Sequence, residues 1–251
     1  MLRGAISIWR RDMLVLRRSI FSELVAVLAY PITLYLAFGV GLKGYIADVE
    51  GIPYAIFIAP GLISMTSVNA AFDESAWSMW FHRKVQRTIE EYRVTPITVY
   101  DIVIGKIFCG FSHGAIKGVA VALVIFLLTP FRFELPHLLA YLFFIVFGSI
   151  IFSCLGTICG TIIEKPENIG RMQGVVIVPL IFMSGIFFPL SSYPSAILPF
   201  IKALPTTAIF EGARQALLFG KIASLYAFSL VVTASVIFTL AIVLFNKKIE
   251  E

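Results

Sequence analysis

Charge is what this sequence has least of. Asp, Glu, Lys and Arg make up 14 % of its 251 residues, where an average soluble domain carries about 25 %. Hydrophobic residues make up 59 %, against about 45–50 % in such a domain. A soluble fold of this length would bury a core, but so few charges would not keep its surface wet. The composition therefore predicts an integral membrane protein. Cysteine is scarce as well. Cys109, Cys154 and Cys159 all fall inside apolar stretches, are odd in number and lack paired metal spacing. They read as small buried hydrophobes and say nothing about redox compartment. The three histidines, His82, His113 and His137, sit at different expected depths, too far apart for one site, which argues against an intramembrane enzyme. No GxxxxGK[ST] occurs, and "QALLFGKI" lacks both the first Gly and the Ser/Thr, so no loop of that kind cradles nucleotide phosphates. There is no internal repeat and no low-complexity tract, which predicts a single domain over 1–251. The first residues, "MLRGAISIWRRDMLVLRRSIFSE", are too charged for the core of a signal peptide, so none is expected.

What the sequence does have is long apolar runs. A bilayer core takes about 20 apolar residues per helix. Six stretches qualify: 24–42, 52–72, about 102–129, 138–163, about 172–190 and 222–245. The connections carry the net charge of +5. Arg3, Arg10, Arg11, Arg17 and Arg18 precede the first span, and Arg83, Lys84, Arg87 and Arg93 follow the second. Lys165 and Arg171 follow the fourth, and Lys247 and Lys248 the sixth. Only Lys43, Arg132, Lys202, Arg214 and Lys221 fall on the other side. The positive-inside rule places both termini and the 73–101 connection in the cytoplasm, with the basic residues meeting anionic lipid rather than nucleic acid.

Three polar or broken segments stand out. In 3–20, Ile6, Trp9, Met13, Leu16 and Ile20 recur at helical spacing with arginines on other faces, which predicts an amphipathic helix on the inner leaflet. In "VQRTIEEYRVTP", residues 85–96, Val85, Ile89 and Tyr92 share a helical face, Arg87, Glu90, Glu91 and Arg93 flank it, and Pro96 ends it. Such a helix, 85–95, can rest on headgroups or dock into a groove on a cytoplasmic partner, and periodicity alone does not choose. In 189–221, Pro189, Pro194, Pro199 and Pro205 cut the chain into pieces too short to span. Residues 191–220 are expected to form short extracellular helices that lie at the interface or re-enter the membrane, covered there by protein.

The third span carries charge. Lys106, His113 and Lys117 lie within about 20° of one line at 100° per residue. Gly110, Gly114 and Gly118 form a ridge beside them that permits close helix approach. Lys106 is near enough the end to snorkel. A cation deeper in the bilayer costs about 2.5–3.5 kcal/mol on insertion scales. The stripe therefore faces a translocation path or dimer interface, or pairs internally with Glu164, Glu23 or Asp73. Asn69 in the second span and Phe182, Phe187, Phe188 and Tyr193 near the outer end of the fifth are candidates for pore lining, and an aromatic belt explains the rings equally well.

Residues 60–106, "PGLISMTSVNAAFDESAWSMWFHRKVQRTIEEYRVTPITVYDIVIGK", resemble the second span, coupling segment and third-span entry of bacterial type-2 ABC exporter permeases, among them nodulation-factor, polysaccharide and drug exporters. Residues 182–220 resemble that family's outer region, with Gly185, Phe188–Pro189, Leu204–Pro205 and Arg214 matching its pattern. At the Leu-Pro turn the chain departs, reading "LPTTA" where members commonly carry a His or an Asn-Pro. The resemblance implies an all-α permease of six spans, with no bound cofactor of its own, in the bacterial inner membrane. It implies a homodimer working with two cytoplasmic ATPase subunits that bind ATP and Mg. Helix 85–95 would be the coupling helix, anchored by Val85, Ile89 and Tyr92, and a lipid-linked, polysaccharide or amphiphilic, drug-like substrate would pass between the two copies, out of the cytoplasm or inner leaflet. A secondary transporter built on His113 and Lys117 is the alternative, for which inverted repeats would be expected.

Overall fold

A computed structural model describes residues 2–42, 44–46, 48–92, 95–129 and 134–250, without the side chains of Leu2, Glu90 and Glu250. Among these residues the chain is helical, with one isolated antiparallel bridge between Val49 and Ile52 and no strand. Helix α1 runs Leu2–Leu34 and continues as a π-helical turn, Tyr35–Val40. Then come α2, Tyr54–Lys84; α3, Thr88–Tyr92; α4, Val99–Leu128; and α5, Leu135–Ile162. Helix α6, Glu167–Met172, passes through π turns at Gln173–Ile177 into α7, Val178–Met183. The chain ends with α8, Leu198–Ala203; α9, Pro205–Phe219; and α10, Ser224–Glu250.

Five of these helices are long and apolar enough to cross a membrane: the α1 run, α2, α4, α5 and α10. The fifth expected span, about 172–190, differs. Its helix stops at Met183, where Ser184 leaves helical geometry and Gly185 takes a left-handed φ of 81°. From Glu167 to Met183 the helix rises about 25 Å at 1.5 Å per residue, short of an apolar core of about 30 Å. The rest of the apolar run, Ile186–Phe187, folds back as a buried turn.

The expected separate helix at 3–20 is also different. Residues 3–20 are helical, but they continue into the first span without a break. The face they bury is Ala5, Ile8, Asp12 and Leu16, while Ile6 is exposed. The burying surface is α4: a Cβ on Gly105 would meet Ala5 and Ile8 at 2.9 Å.

Helix α2 is the centre of the bundle. Small residues let its neighbours approach it. A Cβ at Gly110 or Gly114 of α4 would lie 2.6 or 2.5 Å from the α2 backbone oxygens of Ala71 or Ser67. Gly156 and Gly160 of α5 sit equally close to the Phe72 and Ala76 carbonyls. The glycine ridge expected on α4 is thus a packing surface for α2. Without a hydrophobic drive between helices in lipid, such close van der Waals contact is the main source of cohesion. Helix α9 buries Thr206 to Leu217 almost continuously and packs antiparallel to the first half of α5, Gly148 meeting Ile209 and Phe144 meeting Gly212. It lies at the end of the bundle opposite α3, and Gly220, at φ 62°, closes it in a left-handed cap.

Candidate functional site

The polar side chains of α1, α2 and α4 converge in one seam. Helices α1 and α4 run parallel, in matched register. Near their start, Thr98 and Asp101 form a capping box on α4, and the spare Asp101 oxygen accepts the Ala5 N–H at 3.3 Å. One carboxylate thereby serves two helix starts. Further along, Lys106 Nζ lies 2.7 Å from Asp12 Oδ2, with both side chains buried. Lys106 also donates to Ser78 Oγ at 2.6 Å, and the His82 ring lies at the same distance. Arg11 holds the other oxygen of Asp12 at 2.7 Å. Deeper still, Lys117 Nζ lies 2.8 Å from Glu23 Oε2. His113 lies between these levels, its Nδ1 3.7 Å from Glu23 and 3.1 Å from Glu74.

The expected stripe of Lys106, His113 and Lys117 is therefore one face of α4, turned toward α1 and α2. Of the three acids named from sequence as internal partners, Glu23 takes Lys117, Asp73 accepts from Gln173 at 2.9 Å, and Glu164 pairs with Arg83 and Lys84. Asp12, Glu74 and His82 were missed, although the spacing held a signal: Asp12 and Glu23 are eleven apart, as are Lys106 and Lys117.

The seam is not filled. A cavity of about 320 Å³ lies against it, lined by Asp12, Glu23, Glu74, His82 and His113 and walled by Leu16, Trp77 and Phe81. Its lining is more acidic than basic because the lysines are turned into their ion pairs. A second cavity, about 310 Å³ and apolar, lies between α2, α4 and α5, lined by Ile63, Phe111, Val119 and Leu142 among others.

The connection between α2 and α4 is shorter in helix than expected. The helix 85–95 appears as the single turn α3, because Arg87 adopts a left-handed φ of 53°. That break takes Val85 off the helix, so Val85, Ile89 and Tyr92 do not form one face. Val85 and Arg87 are exposed, as is Glu91. Ile89 is buried in this chain's own core, in a cluster with Ile8, Met79, Ile102 and Phe245. The Tyr92 hydroxyl accepts from Arg11 at 2.5 Å, and burial raises its phenol above the usual range, Arg11 opposing. Arg93 and the Glu90 side chain lie outside the described residues. Next to this turn, hydrogen bonds from Lys84 and Arg83 hold the Glu164 carboxyl below the usual carboxylate range. They tie the end of α2 to the end of α5.

At the opposite end, Arg214 of α9 is buried. It donates to the Gly185 carbonyl at 2.6 Å, pairs with Glu211 and covers the Phe57 ring at 4.1 Å. Phe187 is buried between Phe38 and Phe182, whereas Phe188 is exposed. Asn69 is half-buried, and its Oδ1 has no hydrogen-bond partner among the described residues.

Known proteins resemble this chain over most of its length. The chain is 27 % identical over 213 residues to nodulation protein J of Sinorhizobium fredii, an alignment covering 85 % of this chain and 80 % of that one. Nodulation protein J of Bradyrhizobium diazoefficiens is 26 % identical over 245 residues, 97 % and 93 % of the two chains. The inner membrane transport permease YadH of Escherichia coli is 28 % identical over 216 residues, 84 % and 82 %. The family model described as ABC-2 type transporter matches residues 3–218, from α1 to α9, and the chain belongs to that family of membrane permeases.

Proposed function

We propose that this chain is the membrane-spanning subunit of an ATP-driven exporter, working as two copies with two cytoplasmic ATPase subunits. The observation that carries this is the family match over residues 3–218 in a chain that has no nucleotide-binding motif of its own. In this reading the energy source is a partner, which binds ATP and Mg. We place it at the α2–α4 connection, on the cytoplasmic side with both termini, in line with the excess of arginine and lysine there. The run Glu167–Phe188 makes the sixth crossing in this reading: the 184–188 turn, covered by α9, completes a helix too short to cross alone.

The exposed residues of the α2–α4 connection, Val85 and Arg87 before α3 and Glu91 on it, are the contact to the ATPase, to which the sequence adds Arg93. Ile89 and Tyr92 brace that turn from within and transmit its movement to α1 and α4 through Arg11 and the Ile8 cluster. The substrate in this reading is a lipid-linked molecule, a polysaccharide or a drug-like amphiphile, the classes that the resemblance to type-2 exporter permeases implies, moved from the inner leaflet or cytoplasm along a path between the two copies.

The test is affinity purification from the native membrane in mild detergent, with an ATP hydrolysis assay on what co-purifies. A Val85→Asp, Glu91→Lys variant should release the ATPase while keeping its own thermal transition. Failure of any nucleotide-hydrolysing subunit to accompany the wild type would overturn the reading. Ile89→Asp is the wrong probe, because it breaks this chain's own core.

A further inference from the structure

Three side chains beside the acidic cavity are not used by either ion pair. Glu74 of α2 and Cys109 and His113 of α4 bring one oxygen, one sulfur and one nitrogen within 4.8 Å of one another. The Cys109 Sγ lies 3.8 Å from Glu74 Oε1, and His113 Nδ1 lies 3.1 Å from Glu74 Oε2. Although His113 is 3 % exposed, its Nδ1 has no hydrogen-bond partner among the described residues. A buried ring nitrogen left this way costs free energy unless something takes its lone pair. We propose that Glu74, Cys109 and His113 form a binding site for one divalent transition-metal ion of borderline softness, with zinc(II) the best match.

The donor set is the first reason. Thiolate, imidazole and carboxylate together suit zinc or cobalt and disfavour magnesium and calcium, which prefer oxygen alone. Spacing is the second. A tetrahedral ion with bonds of about 2.0–2.3 Å holds its donor atoms about 3.3–3.8 Å apart, and here the sulfur, one oxygen and one nitrogen lie within 4.8 Å of one another, so a small inward movement would close the set. Charge is the third. On binding, the Cys109 S–H bond breaks and its proton leaves to water as the S–metal bond forms. Glu74 and His113 donate lone pairs. A 2+ ion with one thiolate, one carboxylate and one neutral imidazole has no net charge, which suits a poorly hydrated place. The Glu23–Lys117 pair is neutral already and need not change. Access is the fourth: Glu74 and His113 line the 320 Å³ cavity, which gives an ion a way in. The ion would clamp α2 to α4 at mid-length. The site does not depend on the exporter reading.

The test uses the full-length permease, purified with a tag free of histidine and stripped by a chelator. It is titrated with cobalt(II) and, separately, zinc(II), then desalted. We expect one cobalt per chain, a thiolate-to-cobalt charge-transfer absorption, and displacement by zinc. Cys109→Ser should abolish the absorption and Glu74→Gln should weaken binding at least tenfold, while Cys154→Ser leaves both intact. Wild-type protein that keeps less than a stoichiometric ion, or an absorption that survives Cys109→Ser, would overturn the site. The wild-type measurement decides even if a variant fails to fold.

Discussion

Lys106 of α4 reaches Asp12 of α1 at 2.7 Å, and eleven residues further along both helices Lys117 reaches Glu23 at 2.8 Å. Equal spacing on two parallel helices means that the pairs set register as well as charge. Sliding α1 by one turn would take both lysines off their carboxylates, in a region where an unpaired charge costs several kcal/mol, and Asp12 would keep only Arg11 of its own helix. The seam thus explains why the arginine-rich N-terminal stretch runs straight into the first span along α4.

The two members of the first pair should not be equivalent. Removing Lys106 leaves Asp12 with Arg11 as its remaining partner. Removing Asp12 leaves a fully buried ammonium facing only Ser78 and His82. Breaking a buried pair from one side costs about 3–5 kcal/mol. Asp12→Asn should fall at the upper end of that range and Lys106→Met at the lower. The double variant should recover part of the loss. Denaturant unfolding of the four proteins in one detergent completes the cycle, and equal losses for the two single variants would refute the ordering.

Lys117 decides between packing and path. If its main task is to hold Glu23, Lys117→Met should lower the thermal transition and weaken assembly, and the exchange Glu23→Lys with Lys117→Glu should restore both. If it also meets substrate, the exchanged protein should assemble normally yet transport poorly. Size-exclusion profiles together with vesicle transport separate the two outcomes.

The all-helical architecture was legible because apolar run length depends on the bilayer, and the glycine ridge because four-residue spacing on a helix has one geometric meaning. The stripe on α4 could be drawn from angles alone, but its partners lay on other helices, and only the matched eleven-residue spacing of Asp12 and Glu23 ranked Asp12 above Asp73. The helix at 85–95 was misdrawn for a local reason: periodicity put Val85, Ile89 and Tyr92 on one face, but a left-handed Arg87 broke it. Non-glycine residues seldom take that conformation, and nothing in their pattern announces it. The fifth long run ended early at Gly185, since hydropathy counts apolar residues whether they continue a helix or fold back.

Gly114 and Gly118 should differ in tolerance though they belong to one ridge. A Cβ at Gly118 would meet the Ser67 side-chain oxygen, whereas at Gly114 it would come within 2.5 Å of the Ser67 carbonyl oxygen, which is backbone and cannot rotate away. Overpacking of this kind costs about 1–3 kcal/mol. Gly114→Ala should lower the melting temperature more than Gly118→Ala, and adding Ser67→Ala should rescue Gly118→Ala more than Gly114→Ala. Static light scattering during heating reads the order.

Arg214 ties α9 to the turn that ends the 167–183 helix, and a single contact dominates: Nη1 to the Gly185 carbonyl. A hydrogen bond from a charged donor contributes about 1.5–3 kcal/mol. Arg214→Lys keeps the charge and the Glu211 partner but loses the planar fork that serves Gly185, Glu211 and the Phe57 face together. The turn should then loosen while the bundle stays folded. A cysteine placed at exposed Phe188 should react faster with a membrane-impermeant maleimide in the Lys variant, with the overall melting temperature little changed. Arg214→Met should go further, leaving Glu211 buried without its cation and lowering the melting temperature itself. Unchanged labelling in Arg214→Lys would show that the turn is held by the Ser184–Thr206 hydrogen bond and its own packing instead.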